Sequence, residues 1–154
     1  MIVLGISAFY HDSAAALIKD GQIIAAAQQE RFSRIKHDQS FPSDAITYCL
    51  EEAGIMLDEV DHIAFYDKPL LTFNRLLETY LAYAPSGIKS FIKAIPIWVK
   101  EKILQKSLIY NGLNSLNLGQ ISEEKILFGF HHHSHASSAF YPSPFDEAAI
   151  LVMD

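Results

Sequence analysis

The chain has 154 residues, half of them hydrophobic, with 18 acidic and 12 basic side chains and a formal charge of −6. That length suits one domain-sized unit with a real core, and the acidic balance excludes a whole-surface electrostatic grip on nucleic acid or anionic lipid, so any anion site must be local. A single cysteine, Cys49, excludes an internal disulfide and a thiolate zinc cluster. With no basic segment ahead of the opening MIVLGISAF and no apolar run near the roughly 18 residues of a membrane span, the expectation is a soluble, cytoplasmic protein.

In chain order, Ile2, Val3, Leu4 and Ile6 read as a first strand and Ala14 to Ile18 as a second. Asp20-Gly21 is a strong hairpin signal, after which Gln22 to Gln28 return the chain as a third strand. The loop Ala8 to Ser13 between the first two strands is too polar at its tip to be only a reversal. A charged stretch, Glu30 to Asp38, leads to a helix from Ser43 to Ala53 whose apolar face carries Ala45, Ile46, Cys49, Leu50 and Ala53, with Gly54 placed to end it. Cys49 on that face reads as a buried structural thiol.

Val60 to Tyr66 is a further strand with Asp67 at its end, followed by a helical stretch from Leu70 to about Tyr83. A helical insert is expected over about 70–120. Its part from Pro85 to Gly119 is basic and amphipathic, with Lys89, Lys93, Lys100, Lys102 and Lys106 beside a stripe that includes Phe91, Ile95 and Trp98. A solvated helical subdomain is favoured there over a membrane-surface or partner-binding element. Asn111-Gly112, Asn114, Asn117 and Gly119 mark a connection, Ile126 to Phe130 a short strand, and Ala148 to Met153 a last strand ending at Asp154.

Three groups of residues carry chemistry. Four histidines occupy five positions, and on a helix His131 and His135, at i and i+4, share a face and can reach one metal ion. The spacing alone leaves solvated imidazoles as an equal alternative; Asp154 supplies a third donor at a strand's carboxyl end and favours the metal. Two histidines and a carboxylate suit iron, zinc or manganese. The run Glu30-Arg31-Phe32-Ser33-Arg34-Ile35-Lys36-His37 is either a local site for phosphate or carboxylate or a solvated charged loop. In the loop tip His11-Asp12-Ser13, a histidine beside a carboxylate can act as a general base, yet neighbours in an extended chain point to opposite faces, so Asp12 need not orient His11.

The segments VLGISAFYHDSAAALIKDGQIIAAAQQERFSRIKH and HHHSHASSAFYPSPFDEAAILVMD, residues 3–37 and 131–154, resemble the O-carbamoyltransferase family that includes nodulation-factor and antibiotic carbamoyltransferases. The resemblance implies an α/β fold, the ribonuclease-H-like half of an actin-like ATPase domain related to the tRNA threonylcarbamoyladenosine-synthesis proteins, built as a mixed sheet with flanking helices and the helical insert. It also implies that 1–154 is an N-terminal subdomain, with the second half and a carbamoyl-activating domain lacking. The implied reaction makes carbamoyl-adenylate from carbamoyl phosphate and ATP and passes the carbamoyl group to a hydroxyl of a small acceptor: a sugar, an antibiotic or a nodulation-factor-like molecule.

By the same resemblance His131, His135 and Asp154 would bind a divalent metal, generally Fe(II), and His11 would deprotonate the acceptor. Asp12, Arg31, Arg34, Lys36 and His37 would lie near substrate. The partners expected are the remainder of the same enzyme and the acceptor, with no nucleic acid and no membrane span. Two rivals are a non-catalytic actin-like module that binds nucleotide or metal, and a metal-dependent hydrolase.

Overall fold

A computed structural model of the chain describes residues 1–84, 86–88, 90–92 and 104–153. Five strands form one mixed sheet in the order β3-β2-β1-β4-β5. They are β1 (Ile2–Ser7), β2 (Ala14–Lys19), β3 (Gln22–Gln28), β4 (His62–Phe65) and β5 (Ile126–Phe128). The helices include α1 (Glu30–Ser33), α2 (Ser43–Ala53), α3 (Pro69–Ala82), α4 (Gln105–Ser115) and α5 (His131–Phe140). No helix among the described residues is long and apolar enough to cross a membrane.

The meander forms where its residues require it. β1 and β2 pair antiparallel from Ile2↔Lys19 to Ser7↔Ala14, and Asp20 (φ 51°) with Gly21 (φ 83°) takes the left-handed conformations that a tight hairpin needs. A bulge between Leu17 and Ile18 shifts the β2–β3 register, so Leu17 faces Ala25 in the interior while Ile18 pairs with Ile23 on the other face. β4 then lies parallel to β1, and β5 parallel to β4.

Alternate residues build one buried layer: Leu4, Ile6, Ala15, Leu17, Ala25, Ile63, Phe65 and Ile126 share a single core with Ala45, Ile46, Cys49 and Leu50 of α2. The α2 face is the one its period predicts. Gly54, at φ 64°, ends the helix by donating to Glu51 and Leu50 carbonyls. Its other end is capped at a distance: the buried Gln29 side chain accepts from the amides of Asp44 and Ala45, both at 3.2 Å, and donates to the Asp44 carboxylate at 2.6 Å. Cys49 is fully buried with Sγ 3.6 Å from the Ala15 carbonyl, and burial pushes its thiol up.

Three expectations need correction. Asn111-Gly112 and Asn114 are not a connection but the second half of α4, and Ile109 and Leu113 of that helix are core residues. Gly112 is there because a Cβ would stand 2.9 Å from three ring carbons of Phe41, so only glycine permits this approach. From Gln105 onward, therefore, the stretch expected as an insert belongs to the core. The expected last strand is also missing: residues 148–153 make no ladder, and Ile150, Leu151 and Met153 are exposed. An apolar run becomes a strand only where a partner offers its backbone, and among the described residues none does. Finally, Glu30–Ser33 is a single helical turn rather than plain charged loop. Lys89, Lys93, Lys100, Lys102, Ile95 and Trp98 of the expected basic insert, and Asp154, lie outside the described residues.

Candidate functional site

Strand direction gathers the candidate residues. β1, β4 and β5 are parallel, and two successive antiparallel pairings return β3 to the same direction. All four therefore release their carboxyl ends at one end of the sheet, where side chains on the following loops can converge. β1 feeds the loop 8–13, β3 feeds α1 and the loop 34–40, β4 feeds Tyr66 and Asp67, and β5 feeds α5.

The first two loops are joined by backbone hydrogen bonds from Phe9 N to Gln39 O (3.1 Å) and from Ser13 N to Asp38 O (2.9 Å), and Gln29 N donates to Ser13 O (2.7 Å). This seam brings His37 against Asp12. His37 Nδ1 lies 2.9 Å from Asp12 Oδ1, and His11 Nδ1 lies 2.7 Å from Oδ2 of the same carboxylate. The alternation argument against Asp12 as the partner of His11 fails because Asp12 is not extended: at φ 52° it turns its side chain back along the loop. These two bonds, His37's first, hold the Asp12 carboxyl below its ordinary value. Hydrogen bonds from Ser33 and then Ser40 do the same for Asp38, which is buried in the seam.

Glu30 joins the group, accepting from His37 N at 3.2 Å and pairing with Arg31 at 3.1 Å. Asp12, Glu30 and His37 each place one ligand atom within 4.8 Å of the others, and each Asp12 oxygen is also bonded to an imidazole. Arg31, Arg34 and Lys36 are exposed, and among the described residues neither Arg34 nor Lys36 forms an ion pair.

The second histidine group is built differently. α5 starts directly off β5, tied to the end of β4 by Gly129 N to Phe65 O (2.8 Å) and by Ser134 Oγ to Tyr66 O (2.8 Å). Ser134, which interrupts the histidine run, is thus the anchor of the helix. A Cβ on Gly129 would come 3.2 Å from that hydroxyl. One turn apart on the exposed side, His131 and His135 turn their Nε2 atoms toward each other at 3.1 Å, with ring planes at 90°. Two nitrogens bound at about 2.0–2.1 Å to one ion stand about 2.9 Å apart at a right angle and about 3.4 Å apart at the tetrahedral angle. The observed separation, which is also that of a hydrogen bond between the two rings, lies between these limits. The third ligand expected, Asp154, is outside the described residues. His133 instead packs against Phe130, ring centroids 5.4 Å apart.

An aromatic bed connects the groups. Phe9 stacks on Phe41 (6.3 Å) and meets Phe65 (6.4 Å), Phe65 meets Phe128 (5.8 Å), and Tyr66 lies 5.7 Å from His131. Burial, then the Asp67 charge and nearby Tyr10, push the Tyr66 phenol up. Asp38, Gln29 and this aromatic bed were not singled out by sequence reasoning, and Glu30 was read only as the start of the charged run. Gln29 acts on residues 15 and 16 positions later, and the seam turns at left-handed residues such as Phe9 (φ 70°), which residue type does not announce.

These strand-end loops, with one histidine group held by a carboxylate and another spaced for a metal, belong to a chain whose residues 2–154 match the family model "Carbamoyltransferase N-terminus". The protein is a member of the carbamoyltransferase family. Among curated relatives, it is 60% identical over 153 residues to an uncharacterized protein of Synechocystis sp. (sll1178), covering 99% of this chain and 25% of that protein. It is 39% identical over 147 residues to nodulation protein NolNO of Sinorhizobium fredii, covering 95% of this chain and 20% of the relative. A 60-residue match of 45% identity to an uncharacterized 19.2 kDa protein of Rhizobium etli covers 39% of this chain and 35% of the other. The chain thus spans about a quarter or less of the length of the first two relatives.

Proposed function

We propose that residues 1–154 form the N-terminal part of the catalytic domain of an ATP-dependent O-carbamoyltransferase, acting in the cytoplasm. Water releases phosphate from carbamoyl phosphate, and the resulting carbamate attacks the α-phosphorus of ATP and expels pyrophosphate, giving carbamoyl-adenylate in a separate activating domain of the longer polypeptide; the carbamoyl group then passes to a hydroxyl of a small acceptor. The sheet order β3-β2-β1-β4-β5 with β2 reversed supports reading this unit as a ribonuclease-H-like half of an actin-like fold. The short coverage of its relatives supports placing the second half and the activating domain elsewhere in the same protein.

The observation that carries the proposal is the convergence of His11, Asp12, His37, the basic loop and the His131–His135 pair at one end of the sheet in a chain of this family. His11 gives Nδ1 to Asp12 and leaves Nε2 to take the acceptor proton as the hydroxyl oxygen attacks the carbamoyl carbon. The bond from that carbon to the adenylate phosphate oxygen breaks, and AMP departs with the electron pair. Arg31 of α1 and Arg34 and Lys36 of the following loop, which meets His11's own, would balance charge on the carbonyl oxygen and the leaving phosphate. His131, His135 and Asp154 would hold a divalent metal, Fe(II) by family resemblance, which supplies a Lewis-acidic charge for orienting the adenylate. Holding both reactants in one cleft supplies much of the rate.

The test is incubation of the full-length enzyme with carbamoyl phosphate, ATP and a panel of hydroxylated acceptors, with products read by mass spectrometry. A carbamate ester formed only when all three are present is the expected result. Release of carbamate or phosphate without ester would instead indicate a hydrolase. Nucleotide binding without turnover would indicate a non-catalytic module.

A further inference from the structure

Asp12 and His37 lie 25 positions apart, and the protein goes to some expense to bring them together. Phe9, Asp12, Arg34 and His37 all take the left-handed conformation, with φ of 70°, 52°, 60° and 56°. Such residues each cost roughly 1–2 kcal/mol when they are not glycine. They account for four of the six non-glycine residues of this kind among those described, and all four sit in the two loops that form the seam. The His–Asp pairs themselves add little stability, because the His11 and His37 side chains are 58% and 61% exposed and ion pairs at that exposure contribute little. What the bonds do determine is ring orientation. An ionised carboxylate has only acceptors, so an imidazole nitrogen bonded to it must carry a proton. With Nδ1 of both rings on Asp12, both rings present Nε2 away from the carboxylate.

From the geometry we infer that Asp12 is a positioning residue, rather than a substrate ligand, that locks both His11 and His37 in the Nδ1-protonated form. His37 acts through Asp12: it occupies the oxygen that His11 does not use and prevents the carboxylate from rotating away. Asp12 thus serves the base through its bonds to the two imidazoles, one on each oxygen. The kinetic consequence rests on the transfer reaction proposed above; the tautomers do not.

Two measurements on the full-length enzyme decide it. With nitrogen-15 histidine at about pH 8, where an ordinary imidazole is neutral, His11 and His37 should both show protonated Nδ1 and bare Nε2. In Asp12→Asn, whose amide offers one acceptor and one donor group, one ring should switch tautomer. In kinetics, Asp12→Asn should lower kcat for carbamoyl transfer about 10²- to 10⁴-fold, the range for a lost or mis-tautomerised base, with acceptor KM and carbamoyl-adenylate formation unchanged. His37→Gln, which can still donate to Asp12, should keep most of the activity that His37→Ala loses.

Bare Nδ1 on either ring of the unsubstituted enzyme overturns the inference whether or not the enzyme transfers carbamoyl groups. So does a rise in acceptor KM alone in Asp12→Asn, which would make Asp12 a substrate ligand. Equal loss of both reaction stages, or His37→Gln no better than His37→Ala, would show a merely structural role and overturns it too. Should the unsubstituted enzyme make no carbamate ester, the transfer reading fails and the tautomers alone decide the positioning.

Discussion

The two histidine groups at the carboxyl end of the sheet face opposite ways. His11 and His37 commit Nδ1 to a shared carboxylate, whereas His131 and His135 turn Nε2 toward each other at 3.1 Å. The first pair is assembled from two loops joined by a His37–Asp12 bond across 25 positions, and the second from one helical turn. A carboxylate between rings sets their tautomer and leaves a nitrogen for proton transfer. Two facing nitrogens at metal-ligand spacing suit a shared cation. The same side chain is thus presented in two arrangements, divided by which nitrogen its neighbours engage.

The largest effect that could break this division belongs to His11. In the full-length enzyme His11→Asn should slow carbamoyl transfer about a hundredfold or more while retaining carbamoyl-phosphate-dependent exchange of pyrophosphate into ATP. Equal loss of both would assign the first histidine group to binding.

Gly112→Ala sharpens the comparison from a distance. Its Cβ would strike the Phe41 ring, which is stacked on Phe9 at the base of the first loop. A destabilisation of about 1–3 kcal/mol by denaturant titration is expected, with histidine resonances shifting for His11 and His37 and not for His131 and His135. Gln29→Ala removes the remote cap of α2 and should cost about 1 kcal/mol, again without moving the α5 pair.

A smaller effect appears in acid. The Asp12 carboxyl is held below its ordinary value of 3.8 by the two imidazoles, so its folded form binds a proton less readily than its unfolded one. The bonds therefore contribute in full above that value and are lost as pH falls through the lower folded value. Histidine spectra should show the clamp intact at pH 4.5 or so and released only in stronger acid; release well above pH 4 would contradict the assignment.

Much of this arrangement is legible in the residues. Asp20-Gly21 announces the meander, and the period of Ala45, Ile46, Cys49 and Leu50 with Gly54 behind it delimits α2 to the residue. The i, i+4 spacing of His131 and His135 places them side by side because their local structure is a helix. What the residues do not show depends on partners distant in sequence. Asp12 escapes the alternation of strands through one left-handed residue. Asn111-Gly112 has the composition of a turn, yet its glycine answers the Phe41 ring, some seventy positions earlier. Residues 148–153 have the composition of a strand, and strands need a partner that composition cannot supply.

The claim that the two groups divide the work is tested most directly by titrating Zn(II), as a diamagnetic probe, into metal-stripped full-length protein labelled with nitrogen-15 histidine. The first equivalent should shift the Nε2 resonances of His131 and His135 and leave His11 and His37 in their Nδ1-protonated form. Binding that shifts His37 first, or that survives the double replacement of His131 and His135 by alanine, would contradict it.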